Sequence, residues 1–120
     1  MTSVDDELSP RIFCAVAQYH KELPCWYIQG VDADVGAQGS TLVDALYNFS
    51  GTLFLDINER YIKELSSYSY NYEDYKKYCP APKSIVSIWN IKNNSILYDV
   101  ASIKPNRFKI ETIAIKILYK

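Results

Sequence analysis

The chain has 120 residues, 48% of them hydrophobic, and a formal net charge of −1; this length suits one domain, and this composition excludes wholesale disorder. No apolar run approaches the roughly 18 residues needed to cross a bilayer, and the opening MTSVDDELSP is too acidic and polar for a signal or transit peptide. Cys14, Cys25 and Cys79 are odd in number and scattered, and His20 is the single histidine, which argues against a disulfide framework and a zinc site and makes the cytoplasm the simplest location.

Residues 1–10 read as a loose acidic leader ended by Pro10, and residues 11–120 as a single domain. RIFCAVAQY is apolar at nearly every position, the pattern of a central strand covered on both faces. HKELP then supplies a turn and CWYIQGV a second strand with Trp26 and Ile28 on one face, most economically an antiparallel hairpin. Asp32 and Asp34 interrupt, and VGAQG is a short third strand.

Leu42, Ala45, Leu46, Phe49, Leu53 and Ile57 recur at the spacing of an amphipathic helix lying on a sheet. Gly39 closes the preceding strand, and Ser40 or Thr41 can cap the helix by accepting from its unpaired N–H groups. With Thr41 as the cap, Asp44 stands at the third helical position, a shorter version of the capping-box Glu that also suits the positive end of the helix dipole. Gly51 weakens the middle of the helix and suggests a close approach to the sheet. A phosphate loop is excluded, because Gly36 and Gly39 have neither the GxGxxG spacing nor a Lys-Ser/Thr pair.

Five tyrosines lie between Tyr68 and Tyr78, with Lys76 and Lys77 in the same stretch. They could form a base-stacking platform; Glu73 and Asp74 among them favour an amphipathic segment with half-buried rings and wet hydroxyls. PAP is a rigid loop, SIVSIWNI a strand by its β-branched content, KNNS a turn, ILYDVASI a strand, KPNR a turn and FKIETIAIKILYK the last strand. In that last strand Phe108 and Ile110 share one face, and Ile113, Ile115 and Ile117 the other, which suggests a bulge or burial on both sides. The fold expected is α+β, an antiparallel sheet with one main helix packed on it.

Charge is unevenly spread. Residues 1–75 hold 4 Lys/Arg and 12 Asp/Glu, and residues 76–120 hold 9 and 2. The two halves can complement each other within one fold, or present an acidic face suited to a basic partner.

The run FCAVAQYHKELPCWYIQGVDADVGAQGSTLVDALYNF resembles the core of the HicB-like antitoxins. CWYIQGV stands for their aromatic strand, VGAQGST for the segment before the helix, LVDALYNF for the helix opening, and PAPKS echoes their Pro-x-Pro-Ser. The resemblance covers the first half clearly and the second half only in order. It implies a partial RNase H-like β-β-β-α-β arrangement without catalytic carboxylates, and a partner that is a small basic, mRNA-cleaving HicA-like toxin. Ser40 and Val43 replace acidic residues of that pattern, and nothing after Pro80 reads as a helical DNA-binding unit. A repurposed inhibitor of another nuclease or defence component is the neighbouring alternative, and a nucleic-acid module using the basic, Tyr-rich half is another.

For an enzyme the residues offer little. His20 sits beside Lys21 and Glu22 in a turn, and Cys25 beside Trp26 reads as packing. Asp32 and Asp34 share one side if extended, as a divalent-metal pair would, although a solvated loop is the commoner setting. The expectation is a non-enzymatic binding protein with no cofactor and no metal, not binding nucleic acid without its partner, and open to homo-oligomerisation. Glu22, Trp26, Tyr27, Asp32 and Asp34 are the candidate partner-binding residues, and Gly39, Thr41 and Asp44 the structural helix start.

Overall fold

The computed structural model describes residues 11–63, 72–91, 94–100 and 110–118. The acidic leader, Tyr68, Tyr70 and the KPNR turn lie outside them. Strand β1 (Arg11–His20) runs through the centre of a five-stranded sheet, as its unbroken apolar pattern requires. It pairs antiparallel with β2 (Cys25–Gly30) across an exposed four-residue turn, from His20↔Cys25 to Ala15↔Gly30. Strand β3 (Gly36–Gly39) continues the meander at one edge.

Helix α1 (Leu42–Lys63) follows. Ala45, Leu46, Phe49, Leu53 and Ile57 are buried and Leu42 half-buried, so the stripe faces the sheet. Phe49 meets Phe13 of β1 with ring centroids 5.9 Å apart. The cap is Thr41, whose Oγ1 accepts from the Asp44 N–H at 3.1 Å. The Asp44 carboxylate in turn accepts from the Ser40 hydroxyl at 3.1 Å, so the box closes through a side chain one residue earlier than expected. Close approach falls at Gly39 rather than Gly51: a Cβ on Gly39 would stand 2.5 Å from the Ala45 backbone nitrogen, whereas one on Gly51 would meet nothing within 4 Å. Gly51 faces outward.

Two expectations about the second half are corrected. SIVSIWNI is a helix, α3 (Lys83–Ile91), preceded by the shorter α2 (Tyr72–Tyr78). Ile85, Val86, Ile88 and Trp89 are the half-buried positions of α3, at one-face helical spacing, which outweighs their β-branched preference. PAP is the loop that separates the two helices, as expected, and its Pro82 carbonyl accepts from the Ile85 and Val86 N–H groups at the start of α3. The sheet is also mixed rather than antiparallel. Strand β5 (Ile110–Leu118) lies parallel to β1, and β4 (Ile96–Asp99) pairs antiparallel at the far edge, giving the order β3-β2-β1-β5-β4.

The expected bulge is present. Arg11 pairs with Ile110 but Ile12 with Thr112, so Glu111 is the extra residue. Ile110 thereby reaches the same face as Ile113 and Ile115, and all three are buried in the cluster beneath α1. On the opposite face Val16 and Ala114 are also buried. There α3 is held by Lys116, which donates to the Trp89 carbonyl at 2.9 Å and lies 4.0 Å above its ring.

Candidate functional site

The register of the β1–β2 hairpin builds two ring pairs at its turn end, one on each face. Tyr19 and Trp26 are direct cross-strand partners with centroids 5.5 Å apart, and His20 meets Tyr27 edge-on at 6.2 Å. Such cross-strand aromatic pairs stabilise a hairpin and hold their own rings in place. The turn beyond them exposes Glu22, and Leu23 is 72% exposed. A shallow cavity of about 260 Å³ is lined by Tyr19, His20, Lys21, Glu22 and Leu23. Trp26 pairs with Gly39, so the capped start of α1, with Thr41 and Asp44, belongs to this same end of the molecule.

The two aspartates lie at the other end of β2, in a bent loop rather than an extended one. Asp32 Oδ2 accepts from the Cys14 backbone N–H at 3.0 Å and from the Tyr72 hydroxyl at 3.2 Å. Asp34 Oδ1 accepts from Gln29 Nε2 at 3.0 Å, and Gln29 Oε1 accepts from the Tyr27 hydroxyl at 3.0 Å. The loop is further tied to Cys79, whose carbonyl accepts from the Asp34 N–H at 2.8 Å. Asp34 is exposed, as a solvated loop would have it, whereas Asp32 is half-buried and tied to β1 and α2; the premise of two aspartates sharing one side fails with the bend. Among the described residues no group of three His, Cys, Asp or Glu could hold a metal ion.

Burial, reinforced by the Asp32 charge, pushes the Cys14 thiol up to about 11. The same two causes, in the same order, raise the Tyr72 phenol far above its ordinary value. Tyr27 is raised by burial and by the Asp34 carboxylate. Each of these groups is held in its protonated form near neutrality.

The structure sets Trp26 against Tyr19 on one face of the hairpin and Tyr27 on the other, where Gln29 links Tyr27 to Asp34; Glu22 lies in the turn, and Asp32 is held by Cys14 and Tyr72. Tyr19 and Leu23 belong to the hairpin cluster and were missed; a four-residue turn between RIFCAVAQYH and CWYIQG would have set Tyr19 opposite Trp26.

No family model, curated protein or solved structure matches this chain.

Two tyrosines of the Tyr-rich segment are described with their side chains, and neither presents an open ring face. Tyr72 and Tyr75 are buried, with ring centroids 6.4 Å apart, and Tyr75 donates to Asp56 of α1 at 2.7 Å. Their hydroxyls rest on carboxylates instead of water. Lys76 is engaged by Glu73 at 3.1 Å and by the Tyr72 ring. No helix among the described residues is long and apolar enough to cross a membrane.

Proposed function

We propose that this chain is a non-enzymatic binding protein of the HicB antitoxin type, which neutralises a small basic nuclease by direct contact. One observation carries the reading: the hairpin end offers the facing rings of Tyr19 and Trp26 near a turn with the exposed Leu23 and the acidic Glu22, while Tyr27 packs edge-on against His20 on the other face. Aromatic anchors held in place before binding lose little entropy in a complex and are over-represented where interface energy concentrates. The surplus of acidic residues before position 76 favours a basic partner and fast encounter.

The β1–β2–β3 meander, the helix α1 that follows it and the central place of β1 support a partial RNase H-like reading of the fold. The carboxylates of Asp32 and Asp34 serve as acceptors for internal donors, in keeping with a scaffold that holds a partner rather than processing a substrate.

The test is co-expression with the product of the neighbouring gene, if that product is short and basic. A complex whose association rate falls with salt, and loss of nuclease activity within it, are the expected outcomes. A folded chain that leaves the nuclease free and active would overturn the reading.

A further inference from the structure

The two edges of the sheet are finished differently. At one edge β3 carries no large apolar side chain, and Asn48 of α1 donates to its Gln38 carbonyl at 2.9 Å. At the other, β4 leaves Ile96 53% and Leu97 64% exposed, and among the described residues no strand lies beyond it. Register assigns these side chains to faces. Ile96 and Tyr98 stand opposite Ile115 and Ile113, which are buried beneath α1; Leu97 and Asp99 stand opposite Ala114 and Thr112, on the side of α3. Apolar side chains are thus exposed on both faces of one edge strand. A helix or a flat surface resting on the sheet would cover one face, whereas a strand added alongside covers both.

The backbone is in phase for that addition. The Val100 N–H donates to the Glu111 carbonyl at 2.8 Å, and this pair continues the register that runs from Ile96↔Ile115 to Asp99↔Thr112. Hydrogen-bonded positions alternate along an antiparallel ladder, so Tyr98 and Ile96 turn their N–H and C=O groups to β5 and Leu97 turns its own outward. Strand β4 contains no lysine and no proline, the residues that commonly blunt an exposed edge.

We infer that β4 pairs antiparallel with β4 of a second copy, joining two five-stranded sheets across a two-fold axis at Leu97. An antiparallel pair related by a two-fold axis normal to the sheet sets one residue opposite its own copy. Centred on Leu97, the pairing opposes leucine with leucine, Ile96 with Tyr98 and Ser95 with Asp99. Apolar side chains then meet apolar ones, and the one charge of the strand meets a hydroxyl. Centring on Tyr98 would set Leu97 against Asp99; centring on Ile96 would set Leu97 against Ser95 and Tyr98 against Asn94. This match of the strand with itself selects a second copy over an unrelated strand. The interface is short, so the dimer is weak. It is separate from the hairpin end and does not depend on the function proposed for that site.

The experiment uses the full chain in sedimentation equilibrium over a range of concentrations. The parent is expected to pass from monomer to dimer as concentration rises into the high micromolar range. Leu97→Lys should associate at least tenfold more weakly and, because Leu97 is exposed, keep the parental melting temperature. Register is read by cysteine trapping with diamide. Opposed hydrogen-bonded residues have Cα atoms about 5.5 Å apart, within the span of a disulfide. Leu97→Cys should therefore give a covalent dimer well above the background of the parent, which carries Cys14, Cys25 and Cys79. Ile96→Cys is offset from its own copy and should not exceed that background. Tyr19→Ala at the hairpin should leave the dimer unchanged. A parent that stays monomeric, even if this edge takes a strand of another protein, would overturn the inference. So would Leu97→Lys dimerising like the parent, equal trapping at positions 96 and 97, or a dimer lost with Tyr19→Ala.

Discussion

The Tyr72 hydroxyl donates to Asp32 Oδ2 at 3.2 Å, joining the first residue of α2 to the loop after β2 across forty positions of sequence. The same oxygen accepts from the Cys14 N–H of β1, and the Arg11 guanidinium lies 4.8 Å from the centre of the Tyr72 ring. One carboxylate thus holds a strand, a loop and a helix together. Asp32→Asn and Tyr72→Phe are each expected to lower unfolding free energy by about 1–3 kcal/mol, the usual range for a hydrogen bond to a charged group. Asp32→Lys should do worse, since it sets a cation in place of the acceptor. Urea melts of the three variants check this, and a parental midpoint for Asp32→Lys would sink the role assigned to Asp32.

Alkaline pH should loosen the same junction. The thiol of Cys14 has an ordinary value of 9.0 and about 11 in the fold, so above about pH 9 the unfolded chain releases a proton that the folded chain keeps. Stability contributed by this group is complete below pH 9 and declines as pH rises to 11, with a slope of up to about 1.4 kcal/mol per pH unit. Tyr72, also raised, adds to the decline above its own ordinary value of 10.0. Denaturant midpoints from pH 7.5 to 10.5 should fall for the parent and fall less for Cys14→Ala. Parallel curves would show that Cys14 is not the group responsible.

The two glycines of the α1 region should respond in opposite directions. Gly51→Ala replaces a poor helix former at an open position and should stabilise by about 0.5–1 kcal/mol. Gly39→Ala forces a methyl to within 2.5 Å of the Ala45 backbone nitrogen, so strand and helix start must separate and the domain loses stability. Thermal melts of the pair decide it; a stabilising Gly39→Ala would refute the close approach.

Capping and core packing at α1 differ in size. Thr41→Ala removes the acceptor for the Asp44 N–H and should cost about 1 kcal/mol. Phe49→Ala empties a fully buried site against Phe13 and should cost about 3–5 kcal/mol. Both variants, where folded, should keep partner affinity, as thermal melts paired with a binding assay on each would show.

At the hairpin end the pattern is reversed. Trp26→Ala combined with Tyr19→Ala removes the facing ring pair and should weaken a protein complex by about 2 kcal/mol or more. Isothermal titration with the co-purifying partner measures it, with circular dichroism to establish that the variant is folded. Unchanged affinity would place the interface elsewhere.

What the sequence determined by itself was local. The unbroken apolar run of β1, the short turn to β2, the helical stripe from Leu42 to Ile57, the Thr41 cap and the bulge near Glu111 were all legible, because each is written as a period or a neighbour within a few residues. Tertiary structure decided the rest. SIVSIWNI reads as a strand from β-branched content and becomes helix α3 because a single apolar face suffices to lie on the sheet. The parallel pairing of β1 with β5 joins segments about a hundred residues apart, and nothing in either strand's own pattern specifies its direction. Asp32 and Tyr72 look solvated in sequence, since an isolated carboxylate or phenol prefers water. Here each gives the other a hydrogen-bond partner away from water, and the separation between them hides that pairing from any local reading.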